Sequence, residues 1–358
     1  MNLSDFDFVL PERLIAQTPA PERDCSKMML VWRKTGKREH RVFRDLPEIL
    51  TSKYFLVINN TRVFPARLRA SRPGKREEIE VLLLREQSPG DWLALVKPAR
   101  KAQPGEELLV GGLRARVLEA QEYGSRVFRF ESDGDLMQRL EQMGEPPIPP
   151  YIHRHKGQDL SEDKRRYQTV YARHTGSVAA PTAGLHFTEE VFHRLHNRGV
   201  AVCEVMLHVG YGTFQPVRCE NILEHSMEPE YYEIDAATAN RIRDYKAEGR
   251  RLVAVGTTST RCLEYLAMQE NPLTRASQDS ATYSFSQASS LRRWTGCSQT
   301  FTCRAQRCSC SPVPSPAANC CWTAIGKLLR IITGFTVTVI ACSSCDDKSP
   351  GTGMRTGD

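Results

Sequence analysis

The chain opens with neither a basic stretch nor an apolar run. Met1-Asn2-Leu3-Ser4-Asp5-Phe6 therefore predicts no secretory leader and a cytoplasmic location. Long hydrophobic runs are scarce too. Leu328 to Cys345 is apolar, but Arg330 and several threonines interrupt it, and it falls short of the roughly 20 residues a spanning helix needs. No membrane partner is expected. Cysteine is scarce where a fold would use it: of 12, only Cys25, Cys203, Cys219 and Cys262 precede residue 270. The others crowd the end, with an adjacent pair (Cys320-Cys321) and a C-x-C (Cys308 to Cys310), and never form two matched C-x-x-C knuckles. No metal is expected. Charge of one sign is scarce as well: a net +7 is compatible with nucleic acid and equally with many soluble enzymes. What is present is a globular composition, 40% hydrophobic and 25% charged, over 358 residues, enough for one large domain or two ordinary ones. A monomer is the default expectation.

The texture along the chain predicts an α/β fold with a largely parallel sheet, interrupted by an inserted antiparallel β-barrel. Phe55-Leu56-Val57-Ile58, ended by Asn59-Asn60, suits a strand buried on both faces. From residue 66 to 146, short strand-like stretches alternate with turns: Ile79 to Arg85, Trp92 to Val96, Glu107 to Val110, Leu113 to Leu118 and Arg126 to Phe130. A helix over Asp135 to Met143 and the rigid Pro146-Pro147-Ile148-Pro149-Pro150 mark the exit of this barrel. Helices are then expected over Glu189 to Asn197, with Thr188 as N-cap and Gly199 as stop, and from an Asp235 cap to Glu248. Val200 to His208 and Leu252 to Gly256 read as strands. The expected division is 1–65 plus 147–270 for the α/β domain and 66–146 for the barrel. Ligands should bind at the carboxyl ends of the parallel strands.

Four segments fall at such ends. In Asn59 to Arg67, Asn60 can hold a ligand and Arg62 or Arg67 can face a phosphate; an ordinary Asx turn with solvated arginines accounts for them equally well. In Ala179 to Phe187, Thr182 and Gly184 let a ligand approach the backbone, and His186 can move a proton near neutral pH. A lone histidine there is more often structural. His208 to Val217 brings together His208, Gly210, Gly212 and Gln215, with Glu224 and His225 shortly after. A lone G-x-G is a weak signal. In Gly256 to Arg261, the hydroxyls of Thr257, Thr258 and Ser259 at a helix start suit a carboxylate or phosphate, though plain capping needs only one of them.

Taken in order, these segments are specific. With Asp5-Phe6, Leu10-Pro11, Pro21-Glu22-Arg23, Pro147 to Ile152 and Tyr167 to Tyr171, the series from Asp5 to about Met268 resembles the S-adenosylmethionine:tRNA ribosyltransferase-isomerase family of queuosine biosynthesis. The resemblance implies an α/β domain interrupted by a β-barrel. It implies transfer of the ribosyl part of S-adenosylmethionine to 7-aminomethyl-7-deazaguanine at the wobble position of a tRNA, with rearrangement to epoxyqueuosine and release of adenine and methionine. Such a site must exclude water around a sulfonium, supply a base and an acid, and offer a basic surface to the anticodon stem–loop. His186 and His208 are the candidate proton-transfer groups, with Glu224 as runner-up. Asn60, Arg62, Thr182, Gly184, Gly210, Gly212, Gln215, Thr257, Thr258 and Ser259 are the candidate S-adenosylmethionine contacts. Arg67, Arg69, Arg72, Lys75, Arg76, Lys97, Arg100 and Lys101 are candidates for the tRNA surface, a solvated charged face being the plainer account of them.

Past Met268 the resemblance stops, and serine, cysteine and arginine take over. Back-translation explains why. Cys297 to Arg304, CSQTFTCR, has codons TGY TCN CAR ACN TTY ACN TGY CGN; read from the third base they permit LTNFHLP, which contains the FHLP segment of the family. The same phase permits DLFIFPGF for Ala281 to Ser289 and FYSYGD for Gly334 to Ala341. The last quarter, 271–358, is thus read as frameshifted, with a slip between about Glu270 and Asp279, and is expected to be disordered rather than native-like. The apolar surface it should cover would then be exposed, which leaves an alternative in which the chain is an inactive remnant that at most binds tRNA. A regulatory protein with a metal-binding tail is a third reading, and predicts stoichiometric zinc. Resequencing the genomic DNA across codons 265 to 285 should reveal one base too many or too few; an unaltered reading would mean that the gene itself has decayed.

Overall fold

A computed structural model describes residues 15–32, 38–131, 136–155, 157–210, 212, 219–221, 230–268, 277–281, 298–301 and 337–342. The strands, in chain order, are β1 (Lys27–Trp32), β2 (Arg38–Val42), β3 (Tyr54–Asn59), β4 (Thr61–Val63), β5 (Arg67–Ser71), β6 (Ile79–Ser88), β7 (Asp91–Lys97), β8 (Glu107–Val110), β9 (Leu113–Ala120) and β10 (Ser125–Phe130). They continue with β11 (His174–Ser177), β12 (Ala201–Leu207), β13 (Glu230–Ile234), β14 (Arg251–Val255), β15 (Ser277–Ala281), β16 (Ser298–Phe301) and β17 (Val337–Cys342). The helices are α1 (Leu46–Ile49), α2 (Leu136–Met143), α3 (Ser161–Arg166), α4 (Glu189–Asn197), α5 (Ala236–Ala247) and α6 (Gly256–Met268).

The main sheet has nine strands in the order β15-β13-β12-β3-β14-β16-β17-β1-β2. Its middle, β12-β3-β14-β16-β17, is parallel, and both flanks are antiparallel. The sheet is therefore mixed around a parallel centre. Side chains of β3 alternate between two cores, as the two-residue period of a strand dictates. Phe55 and Val57 pack with Ala239, Ile242, Cys262 and Leu266 of α5 and α6, whereas Leu56 and Ile58 pack with Leu46 of α1 and Val191 and Leu195 of α4. With helices on both faces, the strand reads as an unbroken apolar run.

The helix ends follow the capping chemistry expected. Thr188 Oγ1 accepts from the Val191 N–H at 3.2 Å and Asp235 Oδ1 from the Thr238 N–H at 2.7 Å. Gly249, at φ +77°, ends the chain segment after α5 in the left-handed region that other residues avoid.

Strands β10-β7-β6-β5-β8-β9 close into an antiparallel barrel filled by Leu68, Val81, Leu83, Trp92, Val96, Val110, Val117 and Phe128. Closure removes the edges that a small open sheet would expose. The chain enters and leaves the barrel at one place. Arg67 and Glu145 exchange both backbone hydrogen bonds, at 3.2 and 2.8 Å. A Cβ on Gly144 would lie 1.9 Å from the Pro65 carbonyl oxygen, so only glycine fits this crossing.

Helix α2 is described from Leu136, the expected first residue Asp135 lying outside the described residues, and β12, β14, α4 and α5 lie within a residue or two of their expected bounds. The hairpin β1–β2, the short parallel pair β4–β11, strand β5 and strand β13 were not anticipated. Leu10 to Ile15, whose sequence suits a helical turn, lies mostly outside the described residues. Of the 271–358 tail, three short stretches take strand positions in the main sheet, and the expectation for the rest falls outside the described residues. Among the described residues no helix is long and apolar enough to cross a membrane.

Candidate functional site

The carboxyl ends of β3, β12 and β14 converge, as a parallel centre requires. Asn59, fully buried at the end of β3, donates from Nδ2 to the Leu207 carbonyl at 2.8 Å and accepts at Oδ1 from the N–H groups of Leu207 and Thr61 at 3.0 and 3.2 Å. The Asn60 N–H donates to the Val205 carbonyl at 3.0 Å, and its Nδ2 donates to Glu204 Oε2 at 2.9 Å. Glu204 is shared with Arg173, 3.2 Å away. Asn60 Oδ1 is sealed from solvent without a protein partner.

His208 follows directly from β12. Its Nδ1 lies 2.9 Å from Thr61 Oγ1, and its ring stacks on Tyr231 with centroids 5.8 Å apart. On the other side it covers Gly176, where a Cβ would come within 2.5 Å of Nε2. Burial, and then the neighbouring charge of His174, push its pKa below the usual histidine value, while Glu233 opposes the shift. At neutral pH it is therefore a neutral base. Further along, the Val209 N–H donates to Ser177 Oγ at 2.8 Å and the Gly210 N–H to Glu230 Oε1 at 3.0 Å.

The Thr182–His186 turn brings Gly184 beneath two side chains that the sequence did not single out. A Cβ on Gly184 would lie 2.0 Å from the Tyr171 hydroxyl and 2.8 Å from Thr169 Cγ2. Both hydroxyls are sealed and unpartnered. Burial, and then Glu204, push the Tyr171 hydroxyl well above the usual tyrosine range, so it stays protonated. Gly256, at the start of α6, abuts this turn: its Cβ would stand 3.1 Å from Ala183 Cβ. On α6, Thr257 is exposed, whereas Thr258 Oγ1 and Ser259 Oγ are sealed without partners.

The other candidates are more dispersed. Arg62 is exposed and reaches Glu141 of α2 at 3.9 Å. His186 is buried against the Phe43 ring at 5.4 Å, on the side of the turn that faces the Arg23–Cys25 segment. Gly212 is described, but Gln215 and Glu224 lie outside the described residues. The residues added by the structure, Thr61, Thr169, Tyr171, Glu204, Glu230 and Arg261, gave little signal as single letters. The spacing of Thr258 and Arg261, three apart on a helix, is a signal that could have marked two of the site's side chains as neighbours. Among the described residues, Glu22, Asp24 and Cys25 have the spacing of metal ligands, and the Arg44 guanidinium already occupies that group through bonds to all three.

His186 yields a pH prediction. Burial lowers its pKa from 6.5 to about 4. Between those values the unfolded chain takes up a proton that the folded chain refuses, so stability is full above pH 6.5 and falls as pH drops toward 4. The full swing is about 3 kcal/mol. In urea melts across pH 4 to 7, His186→Asn should flatten this dependence; an unchanged slope would place the titration elsewhere.

With this geometry in place, comparison with known proteins gives a consistent answer. The family model described as queuosine biosynthesis protein matches residues 3–291. An S-adenosylmethionine:tRNA ribosyltransferase-isomerase of Desulfitobacterium hafniense is 48% identical over 269 residues, which are 75% of this chain and 77% of that protein. The protein of the same name from Pelotomaculum thermopropionicum is 50% identical over 270 residues, 75% and 77% of the two chains. A crystal structure of S-adenosylmethionine tRNA ribosyltransferase from Thermotoga maritima is 26% identical, covers 94% of this chain and 99% of that one, and superposes with a TM-score of 0.40. The matches to the two relatives cover about three quarters of each chain. The chain belongs to the queuosine biosynthesis protein family.

Proposed function

We propose that the site at the ends of β3, β12 and β14 transfers and isomerises the ribosyl group of S-adenosylmethionine onto 7-aminomethyl-7-deazaguanine at the wobble position of tRNA, giving epoxyqueuosine. The observation that carries this reading is a neutral, oriented histidine, His208, beside sealed polar groups without protein partners. His208 takes the proton from the carbon next to the sulfonium, with Thr61 holding its ring. His186 is the second proton-transfer candidate and Glu224 the runner-up. Asn60, Thr182, Gly184, Gly210, Gly212, Gln215 and the Thr257–Ser259 helix start contact S-adenosylmethionine, with Arg62 at the rim toward the RNA. The working unit is a cytoplasmic monomer without a metal, built from 1–65 plus 147–270 with 66–146 inserted.

The barrel presents the RNA surface. Of its eight candidate cations, Arg67, Arg69, Arg72 and Lys101 are already ion-paired to Glu80, Glu78 and Glu145, Glu77 and Glu106, and Glu77. Lys75, Arg76, Lys97 and Arg100 are exposed and enter no ion pair among the described residues. The turn that carries Lys97 and Arg100 is held from below by Arg126, whose Nη2 donates to the Ala99 carbonyl at 3.0 Å. Beside it the Glu122–Gly124 turn, which touches Ala99, exposes 77% of Tyr123, an aromatic face on which an unstacked base can lie.

The altered tail favours a second reading, a remnant that binds tRNA without turning over, and one set of measurements separates the two. Epoxyqueuosine formation by this chain, lost by about 100-fold or more in His208→Ala with tRNA binding retained, supports the enzyme. Binding without turnover supports the remnant. In gel-shifts at varied salt, Lys97→Ala and Arg100→Ala should each reduce the slope of log affinity against log salt by about 0.7 to 0.9. Arg72→Ala should leave it nearly unchanged.

A further inference from the structure

Glu230 and Arg261 form a buried ion pair at the ligand edge of the sheet, 4% and 7% exposed. Glu230 begins β13, and its two oxygens have separate tasks. Oε1 accepts from the Gly210 N–H at 3.0 Å, and Oε2 pairs with Arg261 Nη1. The pair thus ties the loop that follows His208 to helix α6. Arg261 Nε, by contrast, is sealed from solvent and has no acceptor among the described residues.

It is not alone. Thr258 Oγ1, one turn earlier on α6, and Ser259 Oγ, two residues before Arg261, are sealed as well and have no partner among the described residues. Thr258 and Arg261 are three residues apart and share a helix face. Farther along that face, Tyr265 packs edge-on against Tyr232 of β13 at 5.6 Å. This contact sets that face of α6 against β13. Three polar groups without partners among the described residues, one of them charged, therefore lie within the first two turns of a 13-residue helix, whose N-terminus carries partial positive charge of its own. The complementary ligand accepts hydrogen bonds and is negatively charged. A carboxylate accepts at two oxygens and donates nothing, so it satisfies a guanidinium and two hydroxyls at once.

We infer that Arg261 receives the carboxylate of the amino-acid end of the substrate, with the Thr258 and Ser259 hydroxyls as further donors, and that Glu230 positions the guanidinium for this. The inference rests on the S-adenosylmethionine reading above and names a part of the site that the reading left open. A planar guanidinium suits the double task, because one nitrogen can serve Glu230 while another serves the substrate. An ammonium at position 261 offers no such fixed fork.

The test compares two ligands on the full chain by titration calorimetry, with and without an anticodon stem–loop: S-adenosylmethionine, and its decarboxylated analogue, which keeps the sulfonium and the adenosine. The wild-type chain should prefer the carboxylated ligand by about 10- to 100-fold, the range of one charge-assisted hydrogen bond. Arg261→Lys should lose most of that preference. Glu230→Gln, which keeps an acceptor for Gly210, should weaken the carboxylated ligand severalfold and leave the analogue unchanged. Equal wild-type affinity for both ligands overturns the inference while the S-adenosylmethionine reading stands, and it does so even if the Arg261 variant fails to fold. A preference that survives in folded Arg261→Lys overturns it too. Absence of binding of either ligand by the wild-type chain overturns the inference and the substrate reading together.

Discussion

Asn59 sits where the central strand runs out of backbone partners, and its side chain supplies them. The amide mimics a peptide group: it gives a hydrogen to the Leu207 carbonyl and takes hydrogens from Leu207 and Thr61. In a fully buried position each of these groups, left unpaired, would cost about 1 to 3 kcal/mol. The same three bonds fix the end of β12 against the turn into β4. Thr61 and His208 are consequently brought within 2.9 Å of each other, although 147 residues separate them in sequence. The reading of His208 as an oriented base depends on this one buried amide. So does the approach of β11, which pairs with β4 and carries Gly176 beneath the histidine ring.

The parts of the fold that were legible in the sequence are those where one signal suffices. Strand β3 announced itself as an apolar run because helices cover both of its faces. Helices α4 and α5 were bounded by Thr188 and Asp235, whose side chains cap them as their residue types predict. Most barrel strands lay between recognisable turns. Strand β13 escaped because it buries Glu230 along with Tyr232 and Ile234, and a glutamate at a buried position defeats any hydrophobic pattern. The β1–β2 hairpin escaped because Arg38-Glu39-His40-Arg41 has no apolar alternation to show.

Within the site, the glycines and His208 could be picked out because their residue types are unusual at strand ends. The pairing of Glu230 with Arg261 could not, since neither residue suggests the other across 31 positions. His186 illustrates the opposite limit. Its residue type and its setting among small residues drew attention, yet its ring lies against Phe43 at the back of the turn, a location that no local pattern encodes. The site is built from the first three quarters of the chain, whereas β15, β16 and β17, which complete the sheet, lie beyond residue 270.

The strand order gives the tail a part in the timing of assembly. Among the described residues, the β1–β2 hairpin, within residues 27–42, meets the rest of the sheet only through β17, which is made of residues 337–342. During synthesis the inner edge of the hairpin must stay unpaired until nearly the whole chain has left the ribosome. Contacts of such long sequence separation form late and slowly, and an unpaired edge invites pairing with other chains in the meantime. A change confined to the last residues of this polypeptide is therefore felt first by its earliest ones.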